Sequence, residues 1–300
     1  MNDRVVPAGR IATFVSCFLV MLSMASYARM GTQISPAAIG WMPVAAPAEL
    51  NAPGAQWIKV EARAGHKMLA AVFRPQGAGP FPVVVVLHGA SGLQPDHLAL
   101  AEEVARAGFV VVAGCWQLIA SPPAAAPNPV CSEAPPQAAW QADPAANSGK
   151  ELIAAARTLP GVRSDRVGLY GLSRGGNAAL WAASTGASVQ AVVVDAPAHL
   201  PLRVDPPPPS TQSAVAGLAA PTLLLHGTAD RVVPVDQSRE YERAARALGK
   251  PIRAVYIDGM GHMVTFTPPA REAEALAEVR RKTQPEARRQ AIEFLREHLK

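Results

Sequence analysis

Residues 166–183 read Arg166-Val167-Gly168-Leu169-Tyr170-Gly171-Leu172-Ser173-Arg174-Gly175-Gly176-Asn177-Ala178-Ala179-Leu180-Trp181-Ala182-Ala183, and a change of period inside them decides the fold. Up to Tyr170 the apolar residues alternate as in a short buried strand, and from Asn177 they run on as an Ala-rich helix. Ser173 therefore falls on a strand-to-helix turn, within a G-x-S-x-G pattern. Such a turn crowds the backbone, so its flanks need glycine while the serine hydroxyl is pushed out above the sheet. The helix beyond it aims free N–H groups and a positive dipole end at the place where an oxyanion would form. Ser173 is the candidate nucleophile, on an elbow.

Outward from this turn, strand and helix signals alternate. Pro82 to Leu87 is a continuous β-branched run, as expected of a strand covered on both faces, and it ends in His88-Gly89-Ala90-Ser91-Gly92. Asp96 to Ala107 reads as a helix stopped by Gly108, and Phe109 to Ala113 as the next strand. Ser148 to Leu159 is helical, and Val189 to Val194 is a strand. Pro221 to Leu225 is another strand, leading into His226-Gly227-Thr228-Ala229-Asp230. Asp236 to Leu248 reads as a helix, Ile252 to Ile257 as a strand before Asp258-Gly259-Met260-Gly261-His262, and two further helices, about Ala270 to Arg281 and Pro285 to Leu299, close the chain. Ahead of all this, Trp57 to Arg63 and Met68 to Arg74 read as an antiparallel hairpin. The alternation predicts an α/β fold, a mostly parallel central sheet with helices on both faces.

Regularity fails from Cys115 to Asn147 and from Ala196 to Ser213, where prolines recur (Pro122-Pro123, Pro135-Pro136, Pro206 to Pro209). Long loops of this kind in a compact domain are usually functional, so both are expected to form small covers over a site, with a disordered surface excursion as the alternative for the first.

With 49% hydrophobic and 17% charged residues, 300 residues suffice for one large core, and one catalytic domain is expected over residues 57–300. Before it, residues 29–56 are rich in Pro and Ala and read as a linker. Arg4 and Arg10 precede an apolar run from Ile11 to Ala25 that ends in Ser26-Tyr27-Ala28, so residues 1–28 read as a secretory signal peptide, with an uncleaved anchor as the alternative. The expected location is periplasmic or secreted, with no membrane association once the signal is cleaved.

Cys17 would leave with that segment, and Cys115 and Cys131 then form an even pair in an oxidising compartment. A disulfide closing a loop of about 15 residues is expected, against the alternative of two unrelated thiols. The net charge of +5 is spread along the chain; its cluster at Arg280, Arg281, Lys282, Arg288 and Arg289 reads as a solvated helix face, and no nucleic-acid partner is expected.

Ser173, Asp230 and His262 each lie just after a strand, and in a parallel sheet those positions share one edge. Asp195 also follows a strand and is a rival acid, although its Asp-Ala-Pro context reads as structural. The remaining histidines read as structural or surface residues, with His88 ordering the loop after its strand. No His or Cys spacing suggests a metal site, and no Gly-rich loop has a phosphate-binding pattern.

Taken together, His88-Gly89-x-x-Gly92, Gly171-x-Ser173-x-Gly175-Gly176, His226-Gly227-x-x-Asp230 with Val233-Pro234, and Gly261-His262 resemble the α/β-hydrolases, nearest the dienelactone-hydrolase and prolyl-oligopeptidase-like branch, from Trp57 to Lys300. The resemblance implies that Ser173 is the nucleophile, His262 its general base and Asp230 the acid that orients the imidazole. It also implies oxyanion donors on the backbone of Arg174 and of Ala90 or Ser91, and no cofactor.

Dienelactone hydrolases carry cysteine at the elbow, whereas Ser173 favours ordinary ester hydrolysis. Prolyl oligopeptidases carry a propeller that the short N-terminal arm cannot form. The expected activity is cleavage of a small-molecule carboxylic ester through an acyl-serine. A thioesterase, a small amidase or a dienelactone-type hydrolase would use the same groups, and a catalytically silent binding domain is the alternative from another class.

Overall fold

Nine strands join edge to edge in the computed structural model, which describes residues 39–50, 52–61, 66–117, 129–131, 133, 148–198, 211–267 and 272–300. They are β1 (Trp41–Pro43), β2 (Gln56–Glu61), β3 (Lys67–Phe73), β4 (Phe81–Leu87), β5 (Val110–Gly114), β6 (Val162–Leu172), β7 (Ala191–Asp195), β8 (Thr222–Gly227) and β9 (Ile252–Ile257). The helices are α1 (Pro95–Arg106), α2 (Ser148–Arg157), α3 (Arg174–Ser184), α4 (Thr211–Ala216), α5 (Val235–Ala247) and α6 (Glu274–Leu299). The sheet order is β1-β2-β3-β5-β4-β6-β7-β8-β9. The first three strands are antiparallel, and β5 through β9 run parallel.

The β-branched runs form strands because both faces are covered. Along β4, Val83, Val85 and Leu87 enter one apolar layer with Leu152 of α2 and Leu180 of α3, while Val84 and Val86 enter the other with Val104 of α1 and Leu295 of α6. A polar side chain on either face would lose its water without a partner, which removes the usual polar alternation.

Register brings the carboxyl ends level. Leu87 pairs with Gly114 of β5 on one side and Gly171 of β6 on the other, Leu172 pairs with Asp195, and Asp195 with Leu225 of β8. The chain leaves β4 for β5 on one flank while β6 lies on the other, so the order reverses at β4, and a crevice opens at such a point in an open α/β sheet.

Three readings are corrected. The segment taken as a linker contains β1, whose residues pair with Val60, Lys59 and Ile58 of β2; three residues carry too little periodicity to announce a strand. The two expected C-terminal helices are one, α6, with Pro285 inside it. Packing of Ala287, Ala291, Phe294 and Leu295 against the sheet outweighs the local break. Arg280, read as part of a solvated face, is 4% exposed.

Cys115 and Cys131 form the disulfide, tying a short turn at Pro129–Cys131 to the end of β5. The signal-like segment and most of both expected covers lie outside the described residues.

Candidate active site

The elbow is built by close approach. A Cβ at Gly175 would collide with the carbonyl oxygens of Leu87 and His88, so only glycine lets the start of α3 lie against the end of β4. Ser173 is held at φ 53°, a left-handed conformation costing on the order of 1–3 kcal/mol for a residue with a side chain. Main-chain bonds hold it there: its N–H donates to Asp195 O at 2.8 Å, and its own O accepts from Gly176 N–H and Ala198 N–H, both at 2.9 Å. The residue is 6% exposed.

Asp230 and His262 are brought together by an equally tight approach. Gly227 touches the backbone of Met260 and Gly261 where a Cβ would not fit, and Ala229 N–H donates to Met260 O at 2.9 Å. The side chains then meet, with His262 Nδ1 2.7 Å from Asp230 Oδ2.

The carboxylate takes three more bonds, from Val232 N–H (2.8 Å) and Val233 N–H (2.9 Å) on Oδ1 and from His226 Nε2 (3.0 Å) on Oδ2. Burying a carboxylate costs several kcal/mol, while hydrogen bonds to a charged group contribute roughly 1.5–3 kcal/mol each, so four of them outweigh the cost. Burial pushes the Asp230 carboxyl up, but the bonds from His226 and His262 pull it further down, well below the usual carboxylate range. Ionised Asp230 can only accept, so His262 carries its proton on Nδ1 and leaves the Nε2 lone pair free.

The same logic assigns His226. Its Nε2 faces two acceptors, Asp230 Oδ2 and Val233 O, both at 3.0 Å, so Nε2 carries a proton, while Nδ1 meets the Ser238 hydroxyl at 2.6 Å. His226 is thus a buried support for Asp230, a role the sequence did not disclose because its partners lie on the following loop and on α5.

Ser173 and the His262 loop face one point. Ser173 Cβ lies 3.3 Å, and Met263 Sδ 3.9 Å, from where a Cβ at Gly89 would sit. No hydrogen bond joins Ser173 to His262 among the described residues; such bonds often tighten only around a bound substrate. Ala90 and Ser91 occupy a turn closed by Gly92 N–H on Gly89 O (3.3 Å), and Arg174 opens α3, where the first N–H groups have no intrahelical acceptor.

His88 orders the loop between them. Its Nδ1–H donates to Gly89 O at 2.8 Å, and its carbonyl accepts from Trp116 Nε1 at 2.9 Å. Burial is the largest influence on the imidazole and holds its pKa down to about 4. Burial lowers the pKa of the Arg174 guanidinium too, and its Nε is buried with no hydrogen-bond partner among the described residues.

Asp195 does not meet His262 as the rival acid would. Its carboxylate is fully buried and accepts from Val264 N–H, Thr265 N–H and the Thr265 hydroxyl at 2.9, 2.7 and 2.6 Å.

Solved structures share the fold. A dienelactone hydrolase-like promiscuous phosphotriesterase, P91, from metagenomic libraries is 18% identical at a TM-score of 0.57, over 88% of this chain and 100% of that one. A dienelactone hydrolase from Anabaena variabilis is 22% identical at a TM-score of 0.53, over 83% of this chain and 100% of that one. Porphyromonas gingivalis dipeptidyl peptidase 4 is 15% identical at a TM-score of 0.60, over 82% of this chain but 35% of that one. At such identities the likeness speaks for the fold. No protein of curated function matches the chain. The model of the dienelactone hydrolase family matches residues 68–299, and with that span covered the chain belongs to this family of hydrolases.

Proposed function

We propose that the protein is a serine hydrolase that cleaves a carboxylic ester of a small molecule through an acyl-serine intermediate. The observation that carries the reading is an imidazole whose Nδ1–H is held by an ionised, fourfold-bonded Asp230, on a loop whose Met263 shares the approach to Gly89 with a strained, buried serine at the N-terminus of α3. Ser173 Oγ attacks the carbonyl carbon, and its proton passes to His262 Nε2. The oxyanion is met by the backbone N–H of Arg174 and of Ala90. Collapse expels the alcohol, which takes the proton from His262. Water then repeats the sequence on the acyl-serine and releases the acid. Asp230 stabilises the imidazolium without taking its proton. Serine in place of the dienelactone hydrolases' cysteine favours the plain ester over that specialised substrate.

The Cys115–Cys131 disulfide supports an oxidising compartment, and the basic-then-apolar stretch at residues 4–25 supports export, so we place the protein in the periplasm or outside the cell. The decisive experiment is labelling of the purified protein with a fluorophosphonate followed by peptide mass spectrometry. A label on Ser173 that is lost in His262→Ala, together with turnover of an ester panel lost in Ser173→Ala, is the expected result. Folded protein that takes no label and turns over no ester overturns the reading.

A further inference from the structure

Two of the proposed reacting groups lie on separate loops, and Asp195, outside the Ser-His-Asp set, touches both of those loops. At the end of β7, its main-chain oxygen accepts from Ser173 N–H at 2.8 Å. Its side chain accepts from Val264 N–H, Thr265 N–H and Thr265 Oγ1 at 2.9, 2.7 and 2.6 Å, two and three residues past His262. Ser173 and the His262 loop are therefore each bonded directly to the same residue.

The other side of that loop is held by Arg280 of α6. Its guanidinium donates to His262 O at 3.2 Å, Met263 O at 2.8 Å and Phe266 O at 2.5 Å. Glu272 holds the guanidinium in turn, with bonds of 2.7 and 2.5 Å. Residues 262–266 thus have N–H groups tied to an acceptor on one side and carbonyls tied to a donor on the other. Between the two, Met263 sits at φ 54°. A residue with a side chain keeps that conformation only where its surroundings over-determine it.

A buried carboxylate is costly, and an apolar side chain of similar size would pack at the end of β7 more cheaply. What the carboxylate provides instead is a rigid double acceptor that fits the main chain of one loop conformation. We propose that Asp195 is a positioning residue: by binding the elbow through its carbonyl and the base's loop through its carboxylate, it sets the separation of Ser173 and His262, with Arg280 bracing the far side. This rests on the reading of Ser173 and His262 as the reacting pair.

The test compares wild type, Asp195→Asn and Thr265→Val. Asparagine keeps the shape but sets an NH2 against a donor, and valine removes the hydroxyl bond alone. Active sites are counted by end-point fluorophosphonate labelling, so that misfolded protein drops out of kcat. Misplacing a reacting group by about 1 Å costs up to about 100-fold in rate, so kcat per site should fall about 10-fold to 100-fold in Asp195→Asn and a few-fold in Thr265→Val, with KM within about 3-fold. The His262 Nδ1–H proton resonance should shift or broaden in the same order.

Unchanged kcat per site in both variants, or kcat and KM changing together, overturns the proposal. If Asp195→Asn yields no folded protein, Thr265→Val decides alone, and an unchanged rate and resonance there overturn it. If wild type neither labels nor turns over ester, the hydrolase reading fails by itself. The resonance then still tests the positioning, and its being identical in Asp195→Asn overturns it.

Discussion

Asp230 makes a charged side chain dependable by surrounding it with donors only. Asp230→Asn preserves the shape but introduces an NH2 that must face His226 or His262, and His262 then carries its proton on the wrong nitrogen. We expect kcat for a small ester to fall on the order of 10,000-fold at neutral pH while labelling at Ser173 slows in parallel, read by steady-state and labelling kinetics. A fall below about 10-fold would mean that Asp230 does not set the tautomer. At this scale the sequence was most informative where a short motif carries the role. Ser173, Asp230 and His262 each sit in a glycine-marked turn directly after a strand. Asp195 and Arg280 carry no such mark, because the bonds that define them join residues up to 70 positions apart for Asp195 and 18 for Arg280. A lone Asp in Asp-Ala-Pro reads as structural without showing what it holds, and an Arg beside Arg281 and Lys282 reads as a solvated face until the chain is folded.

Among the elements, two devices invite measurement. The disulfide fastens the Pro129–Cys131 turn beside the loop that follows β4, with Cys131 Sγ 4.0 Å from His88 Nε2. Cys131→Ser should lower the unfolding free energy by about 3 kcal/mol, the loop-closure value for about 15 residues, as read by urea denaturation under non-reducing conditions. An unchanged midpoint would mean that the turn is held by other contacts. In α6, Pro285 is exposed and lacks the N–H that would bond back along the helix. Pro285→Ala should raise stability by about 1–3 kcal/mol, and a loss instead would show that the break is needed for the helix to follow the sheet. Pro285 is also why one helix read as two: local propensity marks a break, and the decision lay in the apolar face that follows it. Strands β4 and β7 were legible because burial on both faces leaves a valine run, and β8 because the same burial leaves a continuous run of leucines. The three residues of β1 are recruited by the exposed edge of β2 rather than by their own pattern.

Acid tests the whole molecule. The His88 imidazole, near 6.5 when unfolded, is held down to about 4 in the fold, and His97 is likewise held well below its usual range by burial and by His88, so in this window the unfolded chain binds protons that the native one refuses. Stability must then fall as pH drops through that window, by about 3 kcal/mol from His88 alone. Asp230, depressed in the native state, adds a loss at lower pH still, whereas Asp195, raised by burial, works the other way. We expect thermal unfolding midpoints to be flat above pH about 7 and to decline from about 6.5 toward 4, with a shallower decline in His88→Gln. A flat profile down to pH 4.5 would show that the native state takes up these protons. The hydrogen bonds named here as holding Ser173, Asp230 and His262 run among the carboxyl ends of the strands, the loops directly following them, and α6. Among the described residues, the proposed reacting groups are thus seated like a cartridge in one frame of strand ends and α6, so loosening α6 at Arg280 is expected to be felt at Ser173 as a changed reactivity toward a minimal probe.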